Sequence, residues 1–240
     1  MKILGLGTLA TGSLLLLSGC GFDSQERLVP LVDQPVSIEA GTADRANVEL
    51  DMTAGELRLS GGASKLLEGT LEYNETRFKP RITSSTSGAH ATVTLRQSDA
   101  EEGSTKWGGN AKNTWDLQLA DKTLLDLSVN CGAGQAKLNL GDVLLRSLQV
   151  QIGVGQVDLD LTGNPKHDYE VNIHGGIGQA SIHLPTGVGV YATAHGGLGS
   201  INVTGLQKEG DHWQNDLYDK AKVNVKIEVN GGIGEIRLIG

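Results

Sequence analysis

Five times in the second half of this chain a Gly-x-Gly phrase recurs. It reads NCGAGQAKLNL from Asn130, QIGVGQVDLDL from Gln151, HGGIGQASIHL from His174, HGGLGSINV from His195 and NGGIGEIRL from Asn230. Such a phrase can cradle a phosphate, hold calcium or bend a backbone. A dinucleotide fingerprint needs G-x-G-x-x-G opening a helix. The third glycine would fall at Lys137, Asp158, Ser181, Asn202 or Arg237, and no G-x-x-x-x-G-K-[ST] exists. The calcium repeat G-G-x-G-x-D needs an aspartate where Ala136, Val157, Ala180, Ile201 and Ile236 stand. Phosphate and calcium are both excluded at these glycines.

Three further groups could do chemistry. His174 and His195 share a column of the repeat, so two imidazoles from adjacent coils could meet at a transition metal, with His183 on the following strand. The same column reads Asn130, Gln151 and Asn230 in the other copies, which favours a polar ladder and no metal. Asp158 and Asp160 point to one outer face, with Asp116 and Asp126 nearby in sequence. Acid–base work on a glycan needs a paired carboxylate in a cleft, and a solvated strand face explains these residues more simply. Trp107 and Trp115 could stack on a sugar or pack a loop. The expectation is no catalytic residue and no cofactor.

The elements that carry these residues follow from the repeat. Aligned on Gly134, Gly155, Gly178, Gly199 and Gly234, the copies are spaced 21, 23, 21 and 35 residues apart. The long interval holds an insertion, roughly 207 to 222. Val129, Val150, Ile173, Ala194 and Val229 precede the glycine by five, and Leu138, Leu159, Ile182, Val203 and Leu238 follow by four, with polar residues between apolar ones. Period-two alternation marks strands with one wet face, and a fixed period of this length marks a solenoid. The predicted fold is all-β: a single-chain β-solenoid with coils of about 21–23 residues.

Glycine would let each coil corner at the same level. The residue inside each Gly-x-Gly (Ala133, Val154, Ile177, Leu198, Ile233) is always apolar, so it is expected to point inward. The earlier VELDMTAGELRLSGG is a weaker copy, GASKLLEG is expected to make one helical turn, and 98–113 reads as a loop. The C-terminal strand Glu235–Ile239 is expected to leave an open edge for strand addition or a homodimer.

Glycine numbers 34 of 240 residues, about twice the usual share of roughly 7%, and aromatics are only 4%. Aliphatic side chains must fill the core. A net charge of −8 excludes nucleic-acid binding, which needs Lys and Arg. At the start, Lys2 precedes a short apolar run that ends in Leu17-Ser18-Gly19-Cys20, a lipobox pattern. Residues 1–20 are therefore read as a lipoprotein signal peptide with lipid attached at Cys20. Residues 21–34 form a tether and 35–240 the solenoid, irregular to about 122 and regular from about 123. Cys131 then has no disulfide partner and is expected to be a buried thiol. An acyl anchor places a protein on a membrane rather than through it, so the expected place is the bacterial cell envelope, on the outer membrane or the outer face of the cytoplasmic membrane.

With these residues in view, the chain resembles the bacterial toastrack family. The stretches that carry the likeness are VELDMTAGELRLSGGASKLLEGTLEYN, LDLSVNCGAGQAKLNL, VQIGVGQVDLDL, GGIGQASIHLP and GGIGEIRL. The group is similar to the C-terminal domain of cell-wall-active antibiotic response proteins and to candidate adhesin domains. The resemblance implies a β-solenoid in the envelope serving stress signalling or surface interaction, with no catalytic residues to carry over. This chain departs from the membrane-helix members in having a lipobox. Together these features predict a non-enzymatic, lipid-anchored scaffold or adhesin whose partner is an envelope protein or glycan. The alternative is a carbohydrate-active β-helix enzyme or polysaccharide-binding module.

Overall fold

The computed structural model describes residues 30–97 and 111–240. Cys20, Trp107 and most of the tether lie outside them. Among the described residues, thirteen strands form one sheet. They are β1 (Val32–Ile38), β2 (Arg45–Ala63), β3 (Leu67–Tyr73), β4 (Pro80–Ser87), β5 (His90–Gln97), β6 (Asn113–Ala120), β7 (Leu124–Asn139), β8 (Leu145–Asp160), β9 (Tyr169–His183), β10 (Gly189–Thr204), β11 (Gln207–Glu209), β12 (His212–Gln214) and β13 (Asn224–Ile239). The β-solenoid expected from the repeat is present. Each regular coil is one long strand bent at its Gly-x-Gly into two arms, closed by a short return turn.

The bend folds the sheet into a V, and the apolar rows of the two arms pack against each other inside it. In β8, Leu148, Val150 and Ile152 line the first arm, and Val157 and Leu159 line the second; all five are buried. Leu140, Leu161 and Leu184 stack in the return turns and close the mouth of the V. No coil could bury these rows alone, so the core exists only in the stack.

Stacking is parallel and in register. Gly134, Gly155 and Gly178 lie opposite one another across β7, β8 and β9. Their φ values are +133°, +144° and +146°, a region that side chains with a Cβ rarely occupy. A Cβ on Gly178 would also collide with the Gly155 carbonyl oxygen, and one on Gly155 with that of Gly134. The same column continues through Gly234 and Gly199. Glycine is thus required twice over, by backbone conformation and by the approach of the next coil.

The strand order corrects two expectations. β13 is inserted between β9 and β10, paired in parallel on both sides over nearly its whole length. The segment Glu235–Ile239 is therefore central, and the open edge belongs to β10. His174 and His195 are also not neighbours, because Asn230 of β13 stands between them.

The N-terminal end is built differently. On one side of β2, β7 runs alongside the whole bent strand. On the other, β5 pairs with the first arm and a separate strand, β6, with the second. β4 then extends the first branch, and β3 and β1 the second. The helical turn expected over 62–69 is absent. The chain bends at Ser64–Leu66 and enters β3, because Leu66 and Leu67 are both drawn fully into the core. A 3-10 turn stands at Thr76–Phe78. β1 begins at Val32, inside the segment read as tether, and pairs antiparallel with β3.

Candidate functional site: the apex of the folded sheet

The outer surface of the bend carries parallel rows of side chains, one from each coil. Strands in a sheet lie about 4.8 Å apart, so each row is a ladder along the stacking axis. On the first-arm side runs a polar ladder: Asp51, Asn130, Gln151, His174, Asn230 and His195. Beside it lies the bare backbone of Gly132, Gly153, Gly176 and Gly232. All of these but His195 line an open groove of about 790 Å³.

Next comes the residue inside each Gly-x-Gly, expected to face inward. It faces outward. Val154 and Ile177 are each 52% exposed, Ile233 50% and Leu198 72%. The physical reason is a slip of parity. Val150 and Val157 both point into the core, yet seven residues separate them, and strict alternation would place them on opposite faces. The alternation shifts by one within the glycine phrase, and the intervening side chain turns to solvent. That odd spacing is present in the sequence and could have revealed the ladder. Beyond the apolar ridge runs a second polar ladder, Gln135, Gln156, Gln179, Glu235 and Ser200.

Beneath the ridge the inner corner changes along the stack. Two columns flank the bend along the stack: Met52, Cys131, Ile152, Gly175, Gly231 and Gly196 on the first arm, and Leu57, Ala136, Val157, Ala180, Ile236 and Ile201 on the second. At Gly231 and Gly196 the facing isoleucine folds over the glycine; a Cβ on Gly231 would stand 3.1 Å from Cδ1 of Ile236. At Gly175 and Ala180 both partners are small. An apolar cavity of about 80 Å³ remains at that level, lined by Ile152, Ile173, Ile201, Val229 and Ile236.

The residues with chemical potential are dispersed. His174 and His195 stand two strand spacings apart, about 9.6 Å between backbones, with Asn230 between them. An ion with ligand bonds near 2 Å would have to bridge past that asparagine. His183 lies on the second arm, its Nε2 3.9 Å from Asp158. Among the described residues, no cluster of three or more His, Cys, Asp or Glu could hold a metal ion. Asp160 accepts hydrogen bonds from the backbone N–H and the hydroxyl of Thr162. Asp126 is bound by Arg146 and Ser147. Partial burial works to raise the Asp126 carboxyl, but the hydrogen bonds from Arg146 and Ser147 outweigh it and hold the group below its ordinary value. The hydrogen bond from Arg237 likewise keeps Glu235 low. These carboxylates are ion-pair and ladder members, and neither shift is in the direction a general acid needs.

Cys131 is buried at the inner corner, and burial pushes its thiol up to about 11. A nucleophile needs the opposite shift. Trp115 is fully buried in the N-terminal half, its indole N–H donating to Asn113 Oδ1 at 3.1 Å. It is core, not a sugar platform.

Residues 30–183, comprising β1 to β9, match the family described as the N-terminal domain of toast_rack, DUF2154. The chain belongs to the toast_rack family. A solved structure of a candidate cell adhesion protein from Clostridium sporogenes is 31% identical. That likeness covers 87% of this chain and 98% of the other, with a TM-score of 0.83. A candidate adhesin from Bacteroides fragilis is 9% identical over 87% of this chain and 97% of its own, with a TM-score of 0.27. No curated protein matches the chain. Among the described residues, no helix is long and apolar enough to cross a membrane.

Proposed function

We propose that this protein is a non-enzymatic, adhesin-like scaffold of the bacterial cell envelope, and that the outer apex of its sheet is the binding surface. The observation that carries this reading is the exposed ridge of Val154, Ile177, Ile233 and Leu198, each half exposed or more, flanked by two polar ladders. Soluble surfaces rarely align large apolar side chains in a contiguous exposed row unless something docks there. An apolar core with a polar rim is also the anatomy of a protein interface. The Clostridium sporogenes protein, named as a cell adhesion candidate, supports the same reading through its high structural similarity. Lipid at Cys20 would tether the scaffold to the membrane through the short segment before β1. The lipobox sequence supports that anchor.

The test uses the natively lipidated chain, pulled down from detergent-solubilised envelope membranes beside an Ile177→Ser/Ile233→Ser variant. Both substituted side chains point to solvent, so the melting temperature should hold. An envelope protein captured by wild type and lost with the variant is the expected result. Equal capture by both would remove the apex from the reading. A Cys20→Ala chain, expected to leave the membrane fraction, tests the anchor separately.

A further inference from the structure

The second arm of β10, Gly196–Thr204, pairs with β13 on one side. No described strand pairs with the other side. The first arm of β10 is shielded. β12 pairs at Tyr191 and Ala192, and the Asn215 side chain bonds the backbone of Val190 and Val188 at 3.0 and 2.8 Å. The 207–222 insertion thus covers half of the last strand and leaves the other half bare.

Exposed edges are normally protected by charge, proline or a bulge. The other free edges of this sheet follow that rule. β1 has Asp33 and Pro35, β4 has Pro80 and Arg81, and β11 has Lys208 and Glu209. The second arm of β10, GGLGSINVT, has neither charge nor proline. Charge is present on the corresponding arms of β2, β6, β7, β8 and β13; β9, covered on both sides, has only His183.

We infer that this arm pairs with the same arm of a second copy of this chain. A contact between identical edges is two-fold, and a two-fold axis makes the strands antiparallel. The absence of charge fits this occupant in particular. Two copies of a chain with net charge −8 repel at long range, and the arm that would lie against its own image carries no charged side chain. Pairing would also bring two copies of Leu198, the most exposed residue of the apolar ridge, to one junction. The two ridges would become one continuous surface.

The experiment is sedimentation equilibrium of the full chain in density-matched detergent at micromolar concentration. Three samples are compared: wild type, Ser200→Lys/Asn202→Lys, and Ser200→Glu/Asn202→Glu. Both positions are exposed on the outer face of the arm. Wild type should be a dimer, each charged variant a monomer with an unchanged circular dichroism spectrum, and an equimolar mixture of the two variants a dimer again. Restoration by opposite charge cannot come from a folding defect. A monomeric wild type, or a dimer that persists in both variants, overturns the assignment.

Discussion

The two halves of the sheet solve the same bend by different chemistry. In the regular half, β7, β8, β9, β13 and β10 each run through the corner unbroken, and glycine makes the corner possible. At the N-terminal end, next to β2, the strand that should run through the corner is replaced by two, β5 and β6. The backbone ladder is interrupted there, and side-chain amides stand in for it. Gln97 Oε1 accepts from the Thr53 backbone N–H at 2.9 Å, and Asn113 Nδ2 donates to the Ala54 carbonyl at 2.6 Å. Asn113 also bonds Gln97 and Trp115. Both amides are buried. The regular half satisfies its corner by repetition, and the terminal half by a local polar network, because the last coil has no further coil to complete it.

Breaking the regular solution should have the largest effect. Gly178→Val places a branched side chain at φ +146° and against the Gly155 carbonyl. Both β8 and β13 pair with this strand, so neither side can yield without disturbing the stack. We expect a loss of at least about 4 kcal/mol, from backbone strain and steric overlap together. Chemical denaturation checks it, and a midpoint equal to wild type would show that the column can open.

Breaking the terminal solution should cost less. Asn113→Ala leaves the Ala54 carbonyl and the Trp115 indole N–H without their side-chain partner in a buried site. Removing one side of a buried hydrogen-bond network costs roughly 1–3 kcal/mol per orphaned group. The expected loss is about 2–4 kcal/mol, read from the same denaturation curves. Near-ultraviolet circular dichroism should change with Asn113→Ala, through the buried Trp115 beside it, and stay fixed with the mild substitution Gly175→Ala in β9.

Sequence periodicity reveals the regular half because one phrase recurs with its alternation intact. It cannot reveal strand order. β13 and β9 share the same pattern, and nothing in NGGIGEIRL tells that the strand inserts between β9 and β10. Hence the repeat alone points to Glu235–Ile239 as the open edge instead of Gly196–Thr204, and sets His174 beside His195. The terminal amide network is equally hidden. Gln97 and Asn113 lie in segments that read as strand end and loop, 16 residues apart, and meet only because β5 and β6 flank the same bend. The apex ridge is legible in principle, from the odd spacing across each glycine phrase.

The finest contrast lies within a single phrase. In HGGIG the three glycines look equivalent by sequence, yet their surroundings differ. A Cβ on Gly176 would strike the Gly153 carbonyl, and one on Gly178 the Gly155 carbonyl. A Cβ on Gly175 would meet only Ile152 Cγ2, at 3.8 Å, an ordinary contact. Gly175 also lacks the positive φ of Gly178, and it borders the apolar cavity opposite Ala180. Gly175→Ala should therefore stabilise the protein by about 0.5–1 kcal/mol, by restricting the unfolded chain and filling part of the cavity. Gly176→Ala, one residue away, should destabilise it. Thermal melts of the two variants side by side give the answer. Opposite signs would show that coil stacking, and not a general need for flexible backbone, determines which glycines the phrase must keep. A loss in both would mean that the corner at β9 is already as tight as those on either side.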